Sequence, residues 1–222
     1  MAVNIVAYQE LLKELQAKDV LLVAVSKTKP PEEIRELYDL GQQDFGENYV
    51  QELLDKQSQL PADIRWHFIG HLQSNKVRSI APFITLIHGV DSFRLLREID
   101  KQAMKCKREI NCLLQVHIAS EETKFGLDES ELSELLQSAE LPALEHIHID
   151  GLMGMASLSA DPAKVREEFK YLHSLFDKFG KLRTPRCQFR ILSMGMSADY
   201  KMALEEGSNM VRIGSLLFGS RD

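Results

Sequence analysis

The chain has little cysteine, no surplus of basic residues and no long apolar run. Its 3 cysteines, Cys106, Cys112 and Cys187, are far apart and form no CxxC pair, which argues against a disulfide framework and against a zinc site. They are expected to be buried, reduced thiols. With 27 Lys and Arg against 33 Asp and Glu, the formal charge is −6 and the basic residues are scattered, so no basic field exists to meet a phosphate backbone. Nucleic acid is not an expected partner. The N-terminal stretch MAVNIVAYQELLKELQAKD lacks a basic region followed by an apolar core, and the run VLLVAV nearby is too short to cross a bilayer. A membrane is not an expected partner either, and a cytoplasmic location follows. A GxGxxG turn is missing too, which argues against an open dinucleotide-binding sheet.

What the chain does contain is alternation. Short apolar runs alternate with stretches of helical period, without a Ser/Gly/Pro-rich linker or a low-complexity segment, and 222 residues are read as a single domain, 1–222. The strand candidates are Val20–Val25, Asp44–Gly46, Trp66–Ile69, Leu86–Val90, Cys112–Ile118, His148–Met153, Phe189–Leu192 and Met210–Ile213. Helix signals lie between them. Pro31 with Glu32 and Glu33 opens one helix that carries Ile34, Leu37 and Tyr38 on one face and stops at Gly41. Asp128 and Glu131 have capping-box spacing, and Asp161–Pro162 precedes Val165, Phe169, Leu172, Phe176 and Phe179. Strand–helix repeats in this number admit an open doubly wound sheet or a closed α/β barrel of the (β/α)8 or TIM type, and the missing glycine fingerprint favours the barrel. Ile5 to Ala17 is then an extra N-terminal helix.

In such a barrel, function sits where strands end and βα loops begin. The stretch VAVSKTKP ends an apolar strand in Lys27, with Lys29 beside it read as an ordinary solvated lysine. After the seventh and eighth strands, Ser193, Gly195 and Ser197, then Gly214 and Ser215 ahead of SLLF, supply small residues, hydroxyls and exposed amides suited to an anion. The alternative is that Gly195 and Gly214 only make tight turns and the serines cap helices. Strand alternation places Arg212 on the same face as Met210 and Gly214, in the barrel mouth. It could face a pyridine nitrogen, keeping it unprotonated, or pair with Glu47. A lysine amine opposite a phosphate site suggests a Schiff base with a phosphorylated carbonyl compound, which leaves a pyridoxal phosphate protein and a sugar-phosphate aldolase both open.

AVSKTKP, DFGENYVQE, WHFIGHLQSNK, ETKFGL, GLMGM, LSMGMSADY and VRIGSLLFG, in this order between residues 24 and 219, resemble the YggS/PROSC family of pyridoxal phosphate homeostasis proteins. That resemblance implies a single barrel similar to the N-terminal domain of alanine racemase, with pyridoxal 5′-phosphate (PLP) held as a Schiff base on Lys27. It implies cofactor contacts from Asn48, His71, Met153, Ser193, Gly195, Ser197, Arg212, Gly214 and Ser215, and a part in cofactor handling for Lys124. The implied role is PLP (vitamin B6) and amino-acid homeostasis without established catalysis, with transient PLP-dependent apo-enzymes as possible acceptors. Because only Ser215 to Asp222 follow the last strand, no second domain covers the cofactor, and an open-faced monomer is expected. A racemase-type enzyme or an aldolase is the alternative; His71 and Tyr49 are the acid/base candidates near the open face, and each is read instead as packing or cofactor contact, Tyr49 at the barrel rim.

The other polar features are read as structural. His146 and His148 alternate on one face, but no carboxylate or cysteine completes a metal set, and the KCKRE run from Lys105 is a solvated helix end. Met153 and Met155 could equally be core filler. His117, placed late in the fifth strand, has no assigned role.

Overall fold

The structure, a computed structural model, describes residues 3–121, 125–182, 184 and 186–219. Lys124 lies outside the described residues. Its strands are β1 (Leu21–Val25), β2 (Asp44–Glu47), β3 (Arg65–Phe68), β4 (Leu86–Val90), β5 (Ile110–Val116), β6 (Ile147–Gly154), β7 (Cys187–Ser193) and β8 (Met210–Ile213). They are all parallel and close in sequential order, β8 pairing back onto β1. The helices are α1 (Ile5–Gln16), α2 (Pro31–Asp39), α3 (Val50–Gln57), α4 (Val77–Ile80), α5 (Phe93–Lys105), α6 (Glu129–Gln137), α7 (Pro162–Phe179), α8 (Tyr200–Glu205) and α9 (Ser215–Phe218). This is the (β/α)8 barrel with an extra N-terminal helix.

Helices α1, α5, α6 and α7 start where a side chain satisfies a free amide. Asn4 accepts from the Ala7 N–H at the start of α1, Asp128 and Glu131 form the reciprocal capping box of α6, and Asp161 accepts from the Ala163 N–H at α7. α2 begins with Pro31 and acidic residues in its first turn. The apolar stripes then face the strands: α1 buries Tyr8, Leu11 and Leu15, and α7 buries Val165, Phe169, Leu172, Leu175 and Phe179. Phe176 sits beside that stripe, half-buried, its ring centroid 5.6 Å from that of Phe189.

Two apolar regions result. The larger fills the layer between strands and helices, while a small one inside the barrel consists of Val23, Leu86, Leu113, Met153 and Met210. Barrel interiors are usually filled by branched aliphatic side chains. Here Asp44, His67, His88, Gln115, Ser193 and Arg212 are buried polar residues on the strands.

Two expectations are corrected. β5 runs from Ile110 to Val116, two residues earlier than expected, because the chain beyond it turns back: the His117 N–H donates to Leu127 O and the Leu127 N–H to Gln115 O. His117 therefore lies beyond the strand, its Nε2 3.0 Å from the Glu121 carbonyl. The thiols divide, with Cys112 and Cys187 buried and Cys106 half-buried. Burial, with Asp150 nearby, pushes the Cys187 thiol up to about 12 and raises that of Cys112 as well, so neither is a thiolate at neutral pH. Among the described residues, no helix is long and apolar enough to cross a membrane.

Gly151 pins the register of β6. It adopts φ +151°, at an irregularity in the pairing with β7, and an added Cβ would lie 1.9 Å from Ile191 O. Gly151→Ala is expected to cost about 3 kcal/mol in urea denaturation. Gly41→Ala is the control: φ is +99° but nothing lies within 4 Å of the added atom, so only backbone strain of about 1–2 kcal/mol applies.

Candidate functional site

At the carboxyl ends of the strands lies a cleft of about 370 Å³ whose walls include Lys27, Asn48, Met155, Ser197, Arg212 and Gly214. Lys27 reaches it because β1 stops at Val25 and the chain then turns sharply, with Thr28 at φ +65°. For a β-branched residue that angle costs on the order of 1–3 kcal/mol and persists only when its surroundings impose it. The surroundings are ionic. Lys56 on α3, 4% exposed, donates from Nζ to Ser26 O at 2.7 Å, Glu47 Oε1 at 2.7 Å and Glu52 Oε1 at 2.6 Å. Ser26 Oγ donates to the same Glu47 oxygen at 2.6 Å, and the Thr28 N–H donates to the Glu52 carboxylate. Burial pushes the Glu47 carboxyl up, while Lys56 and the Ser26 hydroxyl pull it back.

Lys29 departs from expectation. Its side chain is 14% exposed, donates to Phe218 O at 2.7 Å and lies 4.0 Å from Glu33, so it ties the β1 loop to the end of α9 instead of reaching into solvent. A lone carbonyl at a helix end is a good acceptor for an ammonium.

The opposite end of the cleft is built by the loops after β7 and β8. Gly195 makes the first turn with φ +94°, and an added Cβ would meet Ala203 Cβ at 2.6 Å; its carbonyl accepts from the Arg212 N–H at 3.0 Å. Ser197 Oγ accepts from the Gly214 N–H at 3.3 Å, joining the two loops. Ser215 opens α9 and is exposed at the cleft. Among the described residues, the amides of Ser197, Ala198 and Ser215 donate to no protein acceptor, which leaves several donors at this end.

Arg212 is 3% exposed and lines the cleft. Its Nη1 donates to Ser193 O at 2.9 Å and Ser193 Oγ at 2.7 Å, and its Nη2 to Gly154 O at 3.0 Å. Glu47 is not its partner; Lys56 takes that place. Burial brings the guanidinium down to about 10, which leaves it cationic at neutral pH.

Of the expected site residues, Lys27, Asn48, Ser197, Arg212, Gly214 and Ser215 line this cleft, while Gly195 makes the turn behind it. Ser193, His71 and Met153 do not line it. Ser193 ends β7 facing inward and is occupied by Arg212 beneath the cleft. Met153 is fully buried in the inner apolar layer, and Met155, two residues further on, reaches the cleft. The His71 ring stacks on Phe125 with centroids 4.1 Å apart, and its Nδ1 lies 3.1 Å from Asp91 Oδ2, beside the cleft and half exposed. Tyr49 is 60% exposed instead of packed at the rim.

A sequence profile described as "Alanine racemase, N-terminal domain" matches residues 4–222. The pyridoxal phosphate homeostasis protein of Aquifex aeolicus is 43% identical over 202 residues, covering 90% of this chain and 86% of that protein. The chain belongs to this family. The Pasteurella multocida member is 39% identical over 208 residues, 91% of this chain and 87% of that one. PipY of Synechococcus elongatus, solved with PLP bound, is 37% identical and superposes with a TM-score of 0.82, covering 95% of this chain and 99% of PipY.

No sequence signal marks Lys56, because a lysine near the end of a helix carries no sign of burial. Its removal has a definite expectation. Lys56→Met leaves Glu47, whose side chain is 0% exposed, without its cation and is expected to cost about 3–5 kcal/mol in urea denaturation. Arg35→Ala, which breaks a pair with both side chains more than half exposed, is expected to cost about 0.5 kcal/mol or less.

Proposed function

We propose that this chain binds PLP in the cleft, carries it as a Schiff base on Lys27, and serves intracellular PLP and amino-acid homeostasis as a holder of the cofactor and not as an enzyme. The observation that carries this reading is that Lys27, Arg212 and the Ser197–Gly214–Ser215 end all line one cleft. The donor set fits the cofactor. Hydroxyls and amides without a carboxylate suit a phosphate dianion. Asn48 Oδ1, buried and without a partner among the described residues, is an acceptor in the same cleft. Membership of the family and the PLP-bound structure of PipY point the same way.

When bound, the cofactor supplies an aldehyde for the Lys27 amine. The protein's own residues hold its two ends: Ser197, Gly214 and Ser215 would take the phosphate, and Arg212 would face the pyridine nitrogen and keep it unprotonated. That weakens the ring as an electron sink. The titratable residues among those lining the cleft are Lys27, Lys29 and Arg212, and Lys29 is tied to Phe218. Racemization needs a second acid/base across the ring. His71 and Tyr49 lie outside the lining, which favours a holder over a racemase. An aldolase keeps Lys27 but has no use for an arginine at a ring nitrogen. The same reading takes residues 1–222 as one cytoplasmic domain, a monomer in light scattering, with PLP-dependent apo-enzymes as transient acceptors.

The purified protein with PLP is expected to show a visible band that borohydride abolishes, trapping the modification on Lys27. Lys27→Ala should lose band and adduct while keeping its circular dichroism spectrum. A wild type that stays unmodified overturns the proposal. Ser197→Asp is expected to weaken binding of PLP about 10-fold or more while leaving unphosphorylated pyridoxal unaffected, because it places a like charge against the phosphate only.

A further inference from the structure

A continuous chain of buried polar groups crosses the barrel interior beneath the cleft. Asp44 on β2, His67 on β3, His88 on β4, Ser193 on β7 and Arg212 on β8 are 4%, 2%, 0%, 0% and 3% exposed. His67 Nε2 lies 3.0 Å from Asp44 Oδ1, His67 Nδ1 lies 2.9 Å from His88 Nε2, and His88 Nδ1 lies 3.3 Å from Ser193 Oγ. Ser193 Oγ then accepts from Arg212 at 2.7 Å. At the far end Arg65, nearly half exposed, donates from Nε to Asp44 at 2.8 Å.

The two ends dictate the order of protons. A guanidinium can only donate and a carboxylate can only accept. Burial alone would raise the Asp44 carboxyl, but hydrogen bonds from Arg65 and His67 outweigh it and hold it ionised. Burial, with His67 and Arg212 close by, holds the pKa of His88 well below its usual range, so its ring is neutral with one donor and one acceptor. With both rings neutral, one sequence satisfies every atom: Arg212 donates to Ser193, Ser193 to His88 Nδ1, His88 Nε2–H to His67 Nδ1, and His67 Nε2–H to Asp44. Bonds aligned in one direction polarise one another.

We infer that Ser193, His88 and His67 are positioning residues that form a one-way hydrogen-bond relay from Arg212 to Asp44, and that this relay sets how Arg212 meets a ring nitrogen in the cleft. The part concerning the ring nitrogen rests on the PLP reading above; the proton order does not. Arg212 keeps its backbone contacts to Ser193 O and Gly154 O without the relay, so its fold role and its aim can be separated.

The test begins on the cofactor-free protein with ring ¹⁵N NMR at neutral pH. Both His67 and His88 are expected as the Nε2–H tautomer; an Nδ1–H tautomer or a cationic ring at His88 would overturn the relay. Ser193→Ala removes the one hydroxyl that joins the relay to Arg212, and Ser193→Thr restores it. With ¹⁵N-labelled PLP, Ser193→Ala is expected to move the pyridine nitrogen signal towards the protonated value and to weaken binding about 10-fold, with Ser193→Thr returning both towards wild type. A Ser193→Ala protein that matches wild type in its histidine tautomers and pyridine signal sinks the relay and leaves PLP binding standing. A wild type that binds no PLP sinks the functional reading and the ring-nitrogen half of this inference, while the histidine tautomers decide the other half. Should Ser193→Ala fail to fold, His88→Gln with the same readouts takes its place.

Discussion

The pairing of β8 with β1 is the constraint on which the site depends. Leu21 lies opposite Met210, Leu22 opposite Val211, Val23 opposite Arg212 and Ala24 opposite Ile213. This register closes the barrel, sets the end of β1 beside the loop after β8, and so brings Lys27 and Gly214 to one cleft. A slip of one residue would turn Arg212 outward and bring Val211 and Ile213 into the interior. The first and last strands are far apart in sequence, so this contact exists only in the closed barrel.

Two buried polar systems act on that frame in different ways. The Lys56 cluster beneath the β1 loop holds Thr28 in a left-handed conformation and so fixes where Lys27 leaves the strand. Its ions are expensive to bury, and they are stable because Lys56 donates three hydrogen bonds, one to Glu52 on its own helix and two to acceptors of neighbouring segments, Ser26 and Glu47. The interior chain runs from the Arg212 guanidinium at one end to the Arg65–Asp44 ion pair at the other, with the neutral His88 ring and the Ser193 hydroxyl at its centre. That arrangement avoids an unpaired charge at the barrel centre.

Much of this was legible in the chain. Eight apolar runs separated by helical stretches, with no dinucleotide fingerprint, are enough to expect the closed sheet, and every observed strand end lies within two residues of the expected one, the two-residue shifts falling at β5 and at the start of β7, beside isolated bridges. Lys27, Arg212, Ser197, Gly214 and Ser215 were readable because a barrel places function at strand ends and alternation decides which side chains face in. The interior histidines carry a signal of their own: in Arg65–Phe68 and Leu86–Val90, alternation sets His67 and His88 on the inner face. Lys29 and Lys56 carried none, because burial of a lysine is decided by partners from other segments.

By itself the sequence determined the element order, the barrel class, the lysine at the end of β1 and the small residues that build the far loops, since these follow from local period, capping and turn chemistry. Only the tertiary structure decided which of the candidate residues share the cleft. It moved Met153 and Ser193 below it and His71 beside it, tied Lys29 to α9, and joined five strands' polar residues into one chain. Hydrogen bonding between remote segments and the register of a closed sheet are properties of the packed chain, and no local pattern specifies them.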